Sequence, residues 1–309
     1  MNRDYVIVSP CRNEADFIET TLRTVRDQTV PPVQWVIVDD GSTDDGMKIV
    51  ERYRAEMPYI RIVRRDSAAR AVGGGVVRAF DQGYAAVDAP HSFLCKLDVD
   101  LGLPPRYFET LLDMMEADPN LGTCSGKPYY KDAQGRMVSE LLGDEASIGA
   151  SKFYRRECFE AIGGFVPDVG WDGFDCHSAR WHGWRALSRD GADLRMHHLR
   201  PMGSSQSGIH AGRVRHGRGQ WLLGAHPLFF LASSLVRSVR QKPYITGTLA
   251  SMKGYFGAWL AGEKRFGTPE MVRFIQAYQM RALFRGKVEA AEWAYRRRRA
   301  ELDAAAPAG

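Results

Sequence analysis

Apolar and polar residues alternate along the first half of the chain in blocks that have, in turn, the period of a strand and of a helix. Short apolar runs rich in β-branched residues predict four buried strands, over 5–9, 34–39, 60–63 and 92–97. Apolar residues at helical spacing predict three helices, one in each interval between these strands, over 17–25, 45–56 and 76–84. Because strands alternate with helices, the pattern predicts an α/β fold with a mainly parallel sheet flanked by helices.

The pattern is less regular from residue 100 onward, although single elements still stand out. Apolar residues at helical spacing predict three helices, over 104–115, 159–164 and 171–184. Turn residues predict a hairpin over 124–138, and a last strand is expected over 194–197. We therefore expect residues 1–200 to form one α/β domain.

The composition changes after residue 200. Residues 201–220 are rich in Gly, Ser, Arg and His, which predicts a mobile loop, and 221–309 are expected to form a helical, basic C-terminal region. Its apolar stretches over 221–239 and 245–260 are interrupted by Pro and Gly and are too short to span a bilayer. Two arrangements remain open, namely helices lying in a membrane interface and helices packed on the α/β domain. Residues 270–302 are predicted to form one amphipathic helix.

Charge is unevenly distributed between these two parts. Residues 1–200 hold 25 Lys and Arg against 31 Asp and Glu, whereas 201–309 hold 17 against 6, and 201–262 contain no carboxylate. A basic, aromatic region without acids favours an anionic surface, either membrane or nucleic acid. A solvated basic face on a helical subdomain is the alternative. We expect peripheral association with an anionic membrane rather than binding to nucleic acid.

The cysteines and the chain start bear on the cellular compartment. The five cysteines are scattered and form no CxxC pair, which argues against a disulfide scaffold or a zinc ribbon and fits a reducing environment. The first residues lack the apolar core of a signal peptide. These features predict a cytoplasmic protein, peripheral at the inner face of the cell membrane.

Acidic side chains follow two of the predicted strands. Asp98 and Asp100 come directly after the fourth strand and, being two residues apart, are expected to point to one face. Two carboxylates at a strand end suit Mg²⁺ or Mn²⁺ together with a phosphate, whereas the alternative is a pair of solvated aspartates capping the next helix. Polar clusters also end the first strand, at 9–14, and the second, at 39–44. Since parallel strands end at one edge of a sheet, the three clusters predict a nucleotide site.

Three of these segments, VSPCRNE at 8–14, VDDGSTD at 38–44 and LDVD at 97–100, resemble the N-terminal signatures of the family 2 glycosyltransferases, which have the GT-A fold. The segment at 149–165, GASKFYRRECFEAIGGF, is similar to the one that precedes the family's acceptor-side acid. The resemblance covers about residues 5–200. It implies a nucleotide-sugar donor, commonly UDP-linked, a divalent metal, and inversion at the anomeric carbon.

The resemblance also implies roles for individual residues. Pro10, Arg12, Glu14 and Asp40 would line the uridine pocket, Asp98 would lie near the ribose or the metal, and Asp100 would bind the metal. Arg78 stands where a contact with phosphate or sugar fits, although an exposed helix arginine is an equal alternative.

The general base is the point at which this chain departs from the family pattern. Relatives carry Glu-Asp about eleven residues before a Gly-aromatic pair, and counting back from Gly183 and Trp184 gives Asp172, preceded by Trp171 instead of Glu. We take Asp172 as the candidate base and Asp175 as the second candidate. The alternative is that Asp172 only caps the helix that follows.

Two further groups of residues complete the expected site. His197 and His198 follow the last strand near the place where the family puts a histidine on the metal, and we favour His198. Residues 201–220 are expected to close over the donor and to bring Arg213, Arg215 or Arg218 to its phosphates. A Gln-x-x-Arg-Trp motif and spanning helices, which mark processive members, are missing, so we expect transfer of a single sugar.

Other enzyme classes lack their sequence signals here. The first strand is not followed by GxGxxG, and the chain has no Gly-Lys-Ser/Thr phosphate loop, which excludes a dinucleotide-dependent dehydrogenase and a P-loop nucleotidase. We therefore expect a metal-dependent hexosyl- or N-acetylhexosaminyl-transferase that uses a lipid-linked acceptor in envelope or exopolysaccharide assembly. The alternative is a catalytically idle nucleotide-sugar-binding or membrane-scaffold protein.

Overall fold

A computed structural model describes residues 2–65, 74–200, 208–240 and 243–305 of the chain. Its strands are β1 Tyr5–Cys11, β2 Gln34–Asp39, β3 Ile60–Arg64, β4 Phe93–Leu97, β5 Leu101–Gly102, β6 Leu121–Ser125, β7 Lys127–Lys131, β8 Met137–Ser139, β9 Ser151–Arg155, β10 Arg185–Ser188 and β11 Arg195–His198. Its α-helices are α1 Ile18–Arg26, α2 Gly46–Tyr53, α3 Gly74–Ala85, α4 Tyr107–Ala117, α5 Arg156–Ala161, α6 Trp171–Trp181, α7 Gly208–Leu222, α8 Pro227–Arg240, α9 Tyr244–Leu260, α10 Pro269–Arg285 and α11 Lys287–Ala305.

Seven strands form one large sheet in the order β10-β6-β9-β4-β1-β2-β3. All neighbours are parallel except β9, which runs antiparallel to both β4 and β6. Side chains of β1, β2 and β4 alternate between two buried clusters, one beneath α1, α2 and α4 and the other beneath α3, α5 and α6. The mainly parallel sheet flanked by helices agrees with the sequence prediction.

A smaller sheet with the order β5-β11-β7-β8 stands beside the end of β4. Strand β11 pairs with β5 so that His198 lies opposite Leu101, one residue after Asp100. The predicted hairpin is formed by β7 and β8 alone, because Cys124 belongs to β6 in the large sheet. Strand β11 therefore brings its histidines to the carboxylates that follow β4.

Several predicted boundaries beyond residue 170 were wrong. The helix expected over 171–184 ends at Trp181, and the chain reverses through Gly183, whose φ is 81°. The single helix expected over 270–302 is two helices, α10 and α11, separated by Gly286 with a φ of 82°.

The mobile loop expected over 201–220 was also wrong for its described part. Residues from Gly208 onward form α7, while 201–207 lie outside the described residues. The glycines that suggested a loop are contact points between helices: a β-carbon on Gly217 would strike the Ser251 carbonyl, and one on Gly254 would strike the Val214 carbonyl. Arg218, expected at the donor phosphates, instead pairs with Asp168 and Glu263 at 2.8 Å each.

The C-terminal helices have both packed and exposed apolar faces. Phe274 and Tyr278 of α10 and Ala290 and Ala294 of α11 share a buried cluster with Phe174 of α6. By contrast, large apolar side chains of α8 and α9 such as Leu235, Val239 and Leu260 are exposed. In the described part of the chain, none of the helices combines the length and apolar character needed to cross a bilayer.

A buried histidine in these helices should make the stability of the fold depend on pH. His216 of α7 lies beside Arg213 and accepts a hydrogen bond from Arg237 of α8 at Nε2; burial and these two positive charges lower the pKa of His216 to about 3. Below about pH 6.5, the ordinary pKa of histidine, His216 is protonated in the unfolded chain but remains neutral in the folded chain. Stability is therefore lost as the pH falls from about 6.5 toward 3, by up to about 1.4 kcal/mol per pH unit for this group.

Urea unfolding of wild type and His216→Gln at about pH 7 and pH 5 measures this effect. We expect the drop in unfolding free energy between the two values to be about 2 kcal/mol smaller in the variant, which still offers Arg237 an acceptor. His210→Gln, at an exposed position on the same helix, is the control. An equal drop in wild type and His216→Gln would contradict the assignment.

Candidate active site

The ends of β1 and β2 are joined by hydrogen bonds. The Asp40 amide donates to the Cys11 carbonyl at 2.8 Å, and the Thr43 amide donates to Asn13 Oδ1 at 2.7 Å. The Asp40 carboxylate also pairs with Arg65 at 3.0 Å. The two polar clusters that the sequence places at strand ends therefore lie side by side at one edge of the sheet.

Arg200 connects this edge to the residues after β4. Its Nε donates to Asp100 Oδ2 and its Nη2 to Glu14 Oε1, both at 2.7 Å, and the guanidinium lies 5.1 Å from the ring centre of Phe17. Asp100 and Glu14 are both buried. Sequence reasoning missed Arg200, for which the only signal was a basic residue two positions after His198.

His198 completes the acidic cluster on the side of the small sheet. Its Nδ1 lies 3.2 Å from Glu140 Oε1, and its Nε2 lies 3.6 Å from Asp100 Oδ2. Burial would lower the pKa of His198, but hydrogen bonds to Asp100 and Glu140 raise it to about 9. Burial would likewise raise the pKa of Asp100, but its contacts with His198 and Arg200 lower it. His197, by contrast, pairs with Gly102 along the strand.

The donor set fits a divalent cation in part. Asp100 Oδ1 is buried and has no hydrogen-bond partner in the described structure, and a carboxylate oxygen with a nearby imidazole suits Mg²⁺ or Mn²⁺. Among the residues the structure describes, however, no three His, Cys, Asp or Glu side chains are grouped to hold a metal together. Asp100 can therefore supply one ligand, His198 can supply a second only after it loses the proton that its raised pKa retains at neutral pH, and the others must come from elsewhere.

The buried Lys96 side chain links Asp98 to the start of helix α6. The Lys96 side chain is 3% exposed, and its Nζ lies 2.5 Å from Asp98 Oδ1 and 2.7 Å from the Gly149 carbonyl. The same ammonium is 5.3 Å from the ring centre of Trp171, the first residue of α6. Because β4 is otherwise apolar, Lys96 was a signal available in the sequence that went unused.

Asp172 is exposed in the first turn of α6 and lies against Gly149. A β-carbon built on Gly149 would be 3.0 Å from Asp172 Oδ2 and 3.2 Å from Asp172 Cβ. Gly149 therefore contacts Asp172 through its α-carbon and Lys96 through its carbonyl. Two residues, Gly149 and Lys96, thus stand between the candidate base and Asp98.

The structure places the second candidate base, Asp175, in the core, where it is 2% exposed. Its carboxylate pairs with Lys152 at 2.6 Å and accepts a hydrogen bond from the Tyr154 hydroxyl. Burial raises the pKa of Asp175. An acceptor hydroxyl cannot reach this carboxylate, so Asp175 is withdrawn as a base.

The remaining predicted residues lie around the cluster. Pro10 and Arg12 are half-buried at the end of β1. Arg78 is exposed on α3, and its guanidinium folds back toward Gly74, near the Pro167 carbonyl. No contact among the described residues joins Arg78 to the carboxylates.

The contact between Gly149 and Asp172 leads to a prediction. In Gly149→Ala the added methyl would push the Asp172 side chain away, and we expect kcat to fall about tenfold with little change in donor affinity, since small displacements of reacting groups are costly. Steady-state kinetics with donor titration measures both. Gly257→Ala, where a β-carbon meets no atom within 4 Å, is the control. Equal kcat values in the two variants would contradict the placement of Asp172.

The N-terminal half of the chain matches a known protein family. The model for Glycosyl transferase family 2 matches residues 6–170. Succinoglycan biosynthesis protein ExoA of Rhizobium meliloti is 28% identical over an alignment of 178 residues. The alignment covers 52% of this chain and 52% of ExoA. The chain spans between 35% and 52% of the length of three curated relatives, about half or less.

Solved structures share the fold over most of the chain. The mannosyltransferase PcManGT from Pyrobaculum calidifontis, in complex with GDP-Man and Mn²⁺, has a TM-score of 0.53 and 18% identity, covering 96% of this chain and 86% of that one. Residues 1–349 of S. aureus TarS, in complex with UDP, have a TM-score of 0.56 and 14% identity, covering 99% and 93%. At these identities the likeness concerns the fold, and it confirms the GT-A type of α/β architecture followed by helices.

Proposed function

This chain belongs to glycosyl transferase family 2, and on that basis we propose that it transfers a single sugar from a UDP-sugar to an acceptor hydroxyl, with inversion at the anomeric carbon. One observation carries the proposal. An exposed carboxylate, Asp172, lies against Gly149, and the Gly149 carbonyl accepts a hydrogen bond from Lys96. Lys96 in turn pairs with Asp98, so a chain of contacts links the proposed base for the acceptor to an acidic group proposed for the donor.

The donor is assigned to the edge of the large sheet. We assign Pro10, Arg12, Glu14 and Asp40 to the uridine pocket, which is supported by the hydrogen bonds between the ends of β1 and β2. Asp98 is assigned to the ribose or the cation. Arg78, exposed on α3, remains a candidate contact for a phosphate or the sugar.

Transfer needs one proton acceptor and a stabilised leaving group. The acceptor oxygen forms a bond to the anomeric carbon while that carbon's bond to the diphosphate breaks; the electron pair leaves with the diphosphate, and the hydroxyl proton passes to Asp172. Asp172 suits this task because its carboxylate is exposed at the start of a rigid helix. Bound at Asp100 and His198, Mg²⁺ or Mn²⁺ would act as a Lewis acid toward the diphosphate.

The acceptor is proposed to be lipid-linked and to be met at a membrane surface. The exposed apolar residues of α8 and α9 and the lack of carboxylates over 201–262 support this part. A place in exopolysaccharide or envelope assembly is supported by the similarity to a succinoglycan biosynthesis protein.

Hydrolysis of donors in the absence of acceptor tests the reaction. Purified protein is incubated with a panel of UDP- and GDP-sugars in Mn²⁺, in Mg²⁺ or in chelator, and the released nucleotide is measured. We expect release from one or a few UDP-sugars, dependent on the cation, with NMR showing inverted configuration in the released sugar. Absence of release from every donor, or retained configuration, would overturn the proposal.

A further inference from the structure

A small polar cleft lies among α7, α8 and α9, away from the carboxylate cluster. Its walls include Arg213 of α7, Ser234 and Arg237 of α8, and Tyr244 and Thr248 of α9. The space is about 210 Å³ including its open mouth and is too narrow to admit a molecule much larger than water, so a larger ligand must bind at the mouth. The cleft therefore offers two guanidinium groups and several hydroxyls to something at the surface.

The charge of Arg237 has no acidic partner among the residues that the structure describes. Arg237 donates to the neutral His216 ring, and in the described part of the chain it forms no ion pair. Burial, together with the charge of Arg213, lowers the pKa of Arg237. A guanidinium that is removed from water beside a second cation is costly unless an anion accompanies it. The region from 201 to 262 contains no carboxylate that could fill that role.

A second observation also points to a ligand. Ser234 is 2% exposed, and its hydroxyl oxygen has no hydrogen-bond partner among the described residues. A buried hydroxyl without a partner is uncommon in folded proteins. A phosphate oxygen at the mouth of the cleft would accept hydrogen bonds from hydroxyl and guanidinium groups alike.

The surface around the cleft is apolar. Leu228, Leu231, Leu235 and Val239 recur at spacings of three and four residues, so they lie along one side of α8; Leu235 and Val239 are 70% and 72% exposed. Exposed apolar residues also follow one side of α9, at Ile245, Leu249 and Leu260. We call these two rows the α8–α9 stripes. Nucleic acid offers phosphates and flat base faces but no aliphatic chains to cover two rows of Leu, Val and Ile, whereas a phospholipid offers both phosphate and acyl chains.

We propose that the cleft binds the phosphate of an anionic phospholipid while the α8–α9 stripes enter the adjoining acyl region. The proposal rests on the membrane part of the proposed function and specifies the residues that make the contact. Arg237 and Arg213 supply the positive charge, Ser234 supplies a hydroxyl donor, and the stripes supply apolar area.

Vesicle flotation tests the cleft with a matched pair of variants. Full-length protein is mixed with vesicles of phosphatidylcholine alone or with one third phosphatidylglycerol. We expect binding to the anionic vesicles only, weakened about fivefold in Arg237→Gln and unchanged in Arg273→Gln, an exposed arginine on α10. Equal binding to both kinds of vesicle, or equal binding by the two variants, would overturn the proposal.

The stripes are tested by a substitution at an exposed position, where folding is not at risk. Leu235→Asp should abolish binding to anionic vesicles, whereas Phe284→Asp, at an exposed site on α10, should not. Glycerol 3-phosphate should compete weakly with the vesicles.

If free phosphate protects the protein from thermal unfolding while the protein binds no vesicles, the ligand is not a lipid and the proposal is overturned. If the protein binds an oligonucleotide and Leu235→Asp does not weaken that binding, the proposal is overturned in favour of nucleic acid.

Donor hydrolysis without vesicles separates this proposal from the catalytic one. All four variants should hydrolyse donor at the wild-type rate, because none of the substituted residues contacts the carboxylate cluster. If the vesicle results hold while no donor is hydrolysed, sugar transfer is refuted and the lipid site stands. If donor is hydrolysed while neither Arg237→Gln nor Leu235→Asp weakens vesicle binding, the lipid site is refuted and sugar transfer stands.

Discussion

Replacing Asp172 with asparagine should reduce sugar transfer by at least about a hundredfold, the usual contribution of a general base. The amide keeps the shape of the side chain but cannot accept the acceptor's proton at neutral pH. Its contact with Gly149 is retained, so the donor side should be undisturbed. Isothermal titration with the UDP-sugar should accordingly give an unchanged dissociation constant alongside the lost turnover.

Asp81→Asn is the control for Asp172→Asn, because Asp81 is an exposed aspartate on α3 and changes the net charge equally. Asp175→Asn is informative in another way. It should destabilise the fold, since it breaks the buried pair with Lys152. Wild-type turnover in Asp172→Asn would show that another group takes the proton.

Replacing Asp100 with asparagine should also abolish turnover, by a factor of roughly a hundred to a thousand. The Asp100 carboxylate lies near His198, and one of its oxygens is buried with no hydrogen-bond partner among the described residues, so Asp100 is the strongest candidate ligand for the cation. The variant should lose the response of turnover to added Mn²⁺ or Mg²⁺, and chelator should stop the wild type. Titration of Mn²⁺, followed by its electron paramagnetic resonance signal, measures binding directly.

Loss of Mn²⁺ binding in Asp100→Asn but not in Asp81→Asn would support the assignment. Unchanged Mn²⁺ binding in Asp100→Asn, or full wild-type activity in chelator, would contradict it. Asp98→Asn should have a smaller effect on the cation, because the Asp98 carboxylate is already paired with Lys96.

The first half of the fold could be predicted because its pattern is local. Strands β1, β2 and β4 are apolar runs whose residues alternate between two buried faces, and the polar residues after them have to meet at one edge. Strand β9 could not be found in the same way. It carries Lys152 and Arg155, both buried; Lys152 pairs with Asp175, and Arg155 donates to the Met115 carbonyl, both distant in the sequence. A local pattern does not contain those partners.

The same reason separates the predicted from the missed site residues. Asp98 and Asp100 follow from the end of a predicted strand, and Asp172 follows from the resemblance to the family 2 glycosyltransferases. Arg200 contacts Glu14 and Asp100, which are 100 or more positions away, and Lys96 is linked to the region of α6 through Gly149, which is 53 positions away. Helix α7 was missed because glycine is a poor helix former by propensity, while here it allows close packing of two helices.

The tight contact of α7 with α9 has a mechanical consequence. Because even a methyl group has no room at Gly217 or Gly254, neither helix can slide or roll past the other. We therefore expect the two helices to move as one rigid body. Seven residues separate Arg200 from the first residue of α7, so a bilayer in contact with α8 and α9 would have Arg200 and its partner Asp100 within the reach of that short segment, at most about 29 Å from the start of α7.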